Sequence, residues 1–214
     1  MTRKLFILFA LLVIAAPKIL AQGKAQPAAP VMGSAYGQKL QIPGIKNAGK
    51  LNGVLYRGAQ PHEQSLAQLK TLGITTIVDL REEDAARRET EKKEAESLGL
   101  KFVSIPVGGW SAPTNEQVAQ FLALFRGKPD EKIFVHCHLG EDRTGVFVAT
   151  YRMAIEKWRS EQALKEMYFF GFNGRWHPAM SAFVRDFPAR LTTAPALANF
   201  KDPNAPAVAA TQSN

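Results

Sequence analysis

The single cysteine of the 214-residue chain, Cys137, stands in the run His136-Cys137-His138-Leu139-Gly140-Glu141-Asp142-Arg143-Thr144-Gly145. One cysteine cannot close an internal disulfide, and with four histidines in the chain no Cys/His spacing suits a structural zinc site. The residue types around Cys137 point instead to anion chemistry. A turn of consecutive backbone N–H groups running into a helix N-terminus cradles the oxygens of a phosphate monoester. Gly140 lets such a turn curl inward, and Arg143 can bond two oxygens at once through its planar fork, which Lys cannot copy. The same positive field favours a thiolate at Cys137, the form that attacks phosphorus. Chemistry of this kind needs neither metal nor cofactor.

A loop like this must hang between a strand and a helix. Ile133 to His136 supplies the strand, and a largely apolar helix through Val146, Ala149 and Met153 follows. Upstream, Val54-Leu55-Tyr56 reads as a short strand, and Pro61 opens a helix carrying Leu66, Leu69 and Leu72 that Gly73 ends. Ile74 to Leu80 is a second strand. Glu82 to Leu98 pairs Glu83/Arg87, Asp84/Arg88 and Glu89/Lys93 at i,i+4, which predicts a solvated helix without a ligand role. Phe102 to Val107 is a third strand. Thr114 and Gln117 form a capping-box signature for a helix presenting Val118, Phe121, Leu122 and Phe125. Two more helices are expected over Ser160 to Phe170 and Pro178 to Arg190. Strands separated by helices predict an α/β domain, a mainly parallel central sheet flanked by helices on both faces, with its site at the carboxyl ends of the strands.

The flanks divide the chain. Residues 1–21, with the basic head Thr2-Arg3-Lys4 and the uncharged run Leu5 to Ala16, read as a signal peptide, cleaved after Ala21 or near Ala15-Ala16. An uncleaved anchor is the alternative. Residues 22–37 read as a flexible linker, 38–191 as the domain and 192–214, rich in Ala, Pro and Thr, as a disordered tail. This predicts an exported protein, periplasmic or secreted, touching membrane only through an uncleaved leader. The formal charge of +8 does not imply nucleic acid, because residues 51–191 hold 19 basic and 18 acidic side chains and the excess lies in residues 1–50.

The loop resembles the signature of cysteine-dependent protein tyrosine and dual-specificity phosphatases: Cys, five residues, Arg, then Ser or Thr. His136, Gly140 and Gly145 match as well. The likeness extends to Leu55-Tyr56-Arg57-Gly58-Ala59-Gln60-Pro61 and Val78-Asp79-Leu80-Arg81, similar to compact bacterial dual-specificity-like phosphatases, and spans about Tyr56 to Gly171. The resemblance implies a protein tyrosine phosphatase-like fold and a phosphocysteine intermediate. Cys137 would be the nucleophile, and the segment His138, Leu139, Gly140, Glu141, Asp142 and Arg143 the phosphate cradle. Thr144 would donate its hydroxyl to the departing sulfur, while His136 and Gly145 would support the loop. Family members commonly carry an acidic proton donor on a loop that would fall near Val107, yet Ser104 to Asn115 holds no carboxylate. Asp142, Glu141 and Glu116 are the candidates, Asp142 with a precedent among phosphoinositide phosphatases. Glu116 also suits the first turn of its helix, where an acidic residue offsets the dipole.

A phosphorylated protein or small phosphoester is the implied substrate, phosphotyrosine-like or a phosphoserine, phosphothreonine or lipid monophosphate. Two acidic side chains in the loop disfavour a polyphosphate. Arg57 and Trp110 are candidate substrate contacts, with Arg81 a further one, and salt-bridge or packing roles are the alternatives. A catalytically weak phosphate-binding module and a rhodanese-like sulfurtransferase remain the rival functions. With no second cysteine, activity should depend on reductant.

Overall fold

The computed structural model describes residues 36–126 and 131–201. The predicted signal peptide, nearly all of the linker and the end of the tail lie outside the described residues. Six strands form one sheet: β1 (Gln38–Lys39), β2 (Gly49–Lys50), β3 (Leu55–Ala59), β4 (Thr76–Arg81), β5 (Lys101–Val107) and β6 (Ile133–Cys137). Their order is β1-β2-β3-β6-β4-β5. β3, β6, β4 and β5 run parallel, with Tyr56 opposite Phe134 and Ile77 opposite Phe134 in register. β1 and β2 add a short antiparallel edge. That edge is absent from the sequence reading, because two-residue strands carry no periodic signal.

Side chains alternate across the sheet as the pleat requires. Tyr56, Ile77 and Phe134 face α1 (Glu63–Thr71) and α2 (Ala85–Ser97), where they meet Leu66, Leu69 and Ala95. Leu55, Val78, Val135 and Cys137 face the opposite way. There they pack with Val118, Phe121 and Leu122 of α3 (Asn115–Ala123), Phe147 and Ala149 of α4 (Asp142–Ala154), Met167 of α5 (Ser160–Phe169) and Phe183 of α6 (Pro178–Thr193). The sheet is thus covered on both faces. Strands with both faces covered read as near-continuous apolar runs, which is why β4 and β6 were recognisable.

Several local expectations change. Pro61 precedes α1 instead of opening it, and Leu72 lies just beyond its last turn, 40% exposed. The capping box at α3 forms as read: the Gln117 N–H donates to Thr114 Oγ1 at 3.2 Å, and the Thr114 N–H to Gln117 Oε1 at 2.8 Å. The predicted disordered tail begins too early. α6 runs to Thr193 and a 3-10 turn, Pro195–Phe200, buries Leu197 and Phe200 against the α3–α6 side of the core. Two large apolar residues in a small-residue background were enough to pack. No described helix is long and apolar enough to cross a membrane.

Candidate active site

The parallel strands deliver the site from their carboxyl ends. β6 ends on Cys137, β4 leads to Glu83, β5 to Gly109, and the turn after β6 enters α4 at Asp142. Together with His138, Leu139 and Arg143 these residues line a cleft of about 250 Å³. Cys137 is 3% exposed, so its sulfur is reached through this cleft.

Gly140 has φ +72°, and a Cβ there would overlap the Gly58 carbonyl and the Ala59 nitrogen of β3. Only glycine fits both requirements. Gly145 packs on Met167, whose Cγ would lie 3.3 Å from an added Cβ, and its N–H bonds the Glu141 carbonyl at 3.0 Å. No side chain among the described residues caps α4. Its leading N–H groups therefore remain available to an anion, and the dipole adds to the attraction.

Arg143 is 7% exposed and held in one orientation. Nη1 and Nη2 each donate to the Glu83 carboxylate at 2.7 Å, and Nη1 also donates to the Val107 carbonyl at 3.1 Å. Those three bonds leave Nε–H and the second Nη2–H, two parallel donors on one edge, for a phosphate. Bonds from Arg143 hold the Glu83 carboxyl at a pKa of about 2, so Glu83 is ionised at neutral pH. Glu83 is a site residue that the sequence reading missed. The spacing pointed to its i,i+4 neighbour Arg87, while Arg143, which it pairs with at two points, lies 60 residues away.

His136 is fully buried beneath the loop, Nε2 2.8 Å from Glu91 Oε1 and Nδ1 3.3 Å from the Cys137 carbonyl. Burial alone would lower its pKa, but Glu91, followed by Asp79, turns the net shift upward. Arg81 bridges the same two carboxylates, at 2.9 Å to Asp79 and 2.8 Å to Glu91. Asp79, Glu91 and His136 are the one cluster among the described residues with three potential metal ligands, and this guanidinium already spans it. Two expectations are thereby corrected. Arg81 is scaffolding beneath the loop, and the charged segment before Leu98 is not wholly solvated, since Glu91 faces inward to hold His136.

Arg57 is corrected similarly. It is fully buried, donates to the Gly140 carbonyl and lies with its guanidinium 4.3 Å from the centre of the Phe170 ring. Burial lowers its pKa to about 10. It braces the loop from behind and is not among the residues lining the Cys137 cleft. Asn47 donates to the same Gly140 carbonyl, at 2.9 Å, and to that of Phe170 at 2.8 Å. Thr144 is buried, its hydroxyl without a hydrogen-bond partner among the described residues, so the expected bond to the Cys137 sulfur is not formed in this state. Trp110 stands 69% exposed outside the cleft lining and stacks on His177 at 4.8 Å.

The candidate acids separate cleanly. Asp142 lines the cleft with Cys137. Glu141 turns to a larger adjoining groove, where burial and then Asp142 raise its pKa. Glu116 is fully exposed in the first turn of α3 and bonded within its own cap.

A family model described as a DSP-PTPase phosphatase fused to NAD+ kinase matches residues 44–186. The chain belongs to that family. Dual specificity protein phosphatase TpbA of Pseudomonas aeruginosa strain UCBPP-PA14 is 30% identical over 126 residues, 59% of this chain and 55% of TpbA. The chain therefore spans about half the length of the curated TpbA relatives it matches. A crystal structure of P. aeruginosa TpbA superposes with a TM-score of 0.62 at 27% identity, covering 78% of this chain and 98% of that one. A Cys-to-Ser form of TpbA in complex with pTyr gives 0.61 at 25% identity, covering 77% and 99%. In this DSP-PTPase chain the phosphatase-like loop, the glycine that shapes it and the arginine that completes it come together as the sequence predicts. The supporting residues Glu83, Glu91 and Asn47, of which Glu91 is buried, lie in segments the motif does not include.

Proposed function

We propose that the domain hydrolyses phosphate monoesters, phosphotyrosine-type esters on proteins in particular, through a phosphocysteine intermediate. The observation that carries this reading is the placement of Cys137 at the foot of a cleft where Arg143 keeps one donor edge uncommitted and α4 presents an uncapped N-terminus. A phosphoryl dianion entering there meets donors on every oxygen, and those donors stabilise the charge that spreads over the oxygens during transfer. The Cys137 thiolate forms the S–P bond as the ester P–O bond breaks. The alkoxide or phenoxide leaves with a proton from Asp142, the carboxyl in the cleft that Glu83 cannot replace because it is ionised. Water then attacks phosphorus, Asp142 takes its proton, and the S–P bond breaks to return the thiolate and inorganic phosphate. The Thr144 hydroxyl, without a partner among the described residues and carried by the third residue of α4, is available to stabilise the leaving sulfur.

Substrate choice follows from the adjoining groove of about 1170 Å³, which shares His138 and Leu139 with the cleft and is lined by Lys39, Lys46, Tyr168 and Phe169. It offers room for the chain on either side of a phosphorylated residue, and TpbA, the relative crystallised with pTyr, supports the same class. Export is part of the proposal, supported by the basic head and uncharged run of residues 2–16.

The test is turnover of p-nitrophenyl phosphate and a phosphotyrosyl peptide by the purified chain, with vanadate as inhibitor. Vanadate-sensitive hydrolysis of both is expected. Binding without turnover would leave a phosphate reader, and thiocyanate release from thiosulfate and cyanide would mark a sulfurtransferase.

A further inference from the structure

The Gly140 carbonyl accepts from two side chains that reach it from outside the loop. Asn47, in the turn between β1 and β2, gives one amide hydrogen to that carbonyl at 2.9 Å and the other to the Phe170 carbonyl at 2.8 Å, while Arg57 on β3 donates through Nη2. Both acceptors of Asn47 are carbonyls, so its amide nitrogen must face them. Its backbone has φ +50°, a left-handed conformation that asparagine tolerates better than most residues do. The Ala59 N–H donates to the Lys46 carbonyl at 2.8 Å, which ties this turn to the end of β3.

A trans peptide points its C=O and its N–H in opposite directions. β6 lies between β3 and β4 in the sheet, and the cleft opens on the far side from β3, against Glu83 after β4 and Gly109 after β5. With the Gly140 carbonyl held toward β3, the Glu141 N–H is turned toward the cleft. The backbone N–H groups of residues 139–144 meet no acceptor among the described residues, so each can bond an anion. Gly140 by itself would not enforce this arrangement. Glycine permits either orientation of the following peptide plane, and the reversed plane would aim a carbonyl oxygen at the anion.

We infer that Asn47 and Arg57 are positioning residues of the phosphate cradle, setting the Gly140–Glu141 peptide so that the Glu141 N–H meets a phosphoryl oxygen. This rests on the phosphatase reading above. It gives the short β1–β2 edge a part in oxyanion binding, exerted through the loop backbone. The effect is independent of the leaving group, because the oxygen concerned is one of those that stay on phosphorus, and a free tetrahedral oxyanion presents the same group.

The experiment compares the chain with its Asn47→Gly variant, which keeps the left-handed backbone and removes both donors. Isothermal titration with tungstate should give a Kd about tenfold weaker, near the lower end of what a hydrogen bond to a charged group contributes. kcat/KM should fall by a similar factor on p-nitrophenyl phosphate and on an alkyl phosphate alike. A side chain that served the fold alone would lower the melting temperature and leave the tungstate Kd of the folded protein unchanged. That result, or a loss confined to one of the two esters, would overturn the proposal. Should Asn47→Gly not fold, Asn47→Asp decides by the same readouts, since aspartate keeps the size and the backbone but offers oxygens where the carbonyls need donors. Weaker tungstate binding by the variant, with no turnover by the parent chain, would refute the phosphatase reading and support the loop assignment.

Discussion

Asp142 and Glu83 both line the cleft, yet their surroundings give them opposite duties. Glu83 is locked in a two-point pair with Arg143 and is ionised down to about pH 2, so it orients the guanidinium and holds no proton at neutral pH. Among the described residues Asp142 forms no ion pair with a guanidinium or ammonium group, and it lies beside His177. Replacing Asp142 with Asn should slow hydrolysis of alkyl phosphates by about 10²-fold or more and leave p-nitrophenyl phosphate far less affected, as steady-state kinetics on the two esters would show. Glu83→Gln should raise KM and lower kcat/KM by about tenfold, near 1.4 kcal/mol, because Arg143 loses its charged anchor. A variant with unchanged kinetics would show that Val107 alone orients the arginine. The motif made Cys137, Gly140 and Arg143 legible, since their chemistry is local to one turn. Glu83 was not legible, because a contact across 60 residues leaves no spacing to read.

Beneath the loop, β6 and α2 are joined by the His136–Glu91 contact, and this link titrates. His136 has a raised folded-state pKa, so its contribution to stability is fully present below its unfolded value of about 6.5 and is lost as pH rises through the raised folded value. Urea melts at pH 6 and pH 9 should show the chain losing stability toward the alkaline side, and Glu91→Gln should flatten that slope. An identical slope in the variant would place the pH dependence elsewhere. At this scale the long elements were readable from apolar runs and the Thr114/Gln117 cap. α2 was located correctly but misjudged in character, since a helix with a single buried carboxylate looks in sequence like one that is polar all round. β1 and β2 gave no signal because each pairs through only two residues, too few to show an alternating pattern.

Across the whole domain the sheet, loop and flanking helices depend on a core that extends past the expected boundary. Leu197 is fully buried and Phe200 is 5% exposed, and the Arg126 guanidinium lies 5.2 Å from the centre of the Phe200 ring. A chain ending at residue 191 should lose at least about 3 kcal/mol of stability, judging from the cost of removing one large buried side chain, while one ending at 201 should melt with the full chain. Equal melting of the two truncations would mean that the 3-10 turn adds nothing. The composition of the tail concealed this turn: averaged over residues 192–214 the segment is too poor in large apolar residues to fold, and only the two that pack decide otherwise. The central claim concerns the sulfur. Rapid quenching of the chain during turnover of a phosphotyrosyl peptide, followed by mass spectrometry of the fragment holding Cys137, should find phosphate on that residue and none in an inactive Cys137→Ser variant. Continued turnover by Cys137→Ser, with no adduct in either protein, would contradict the account.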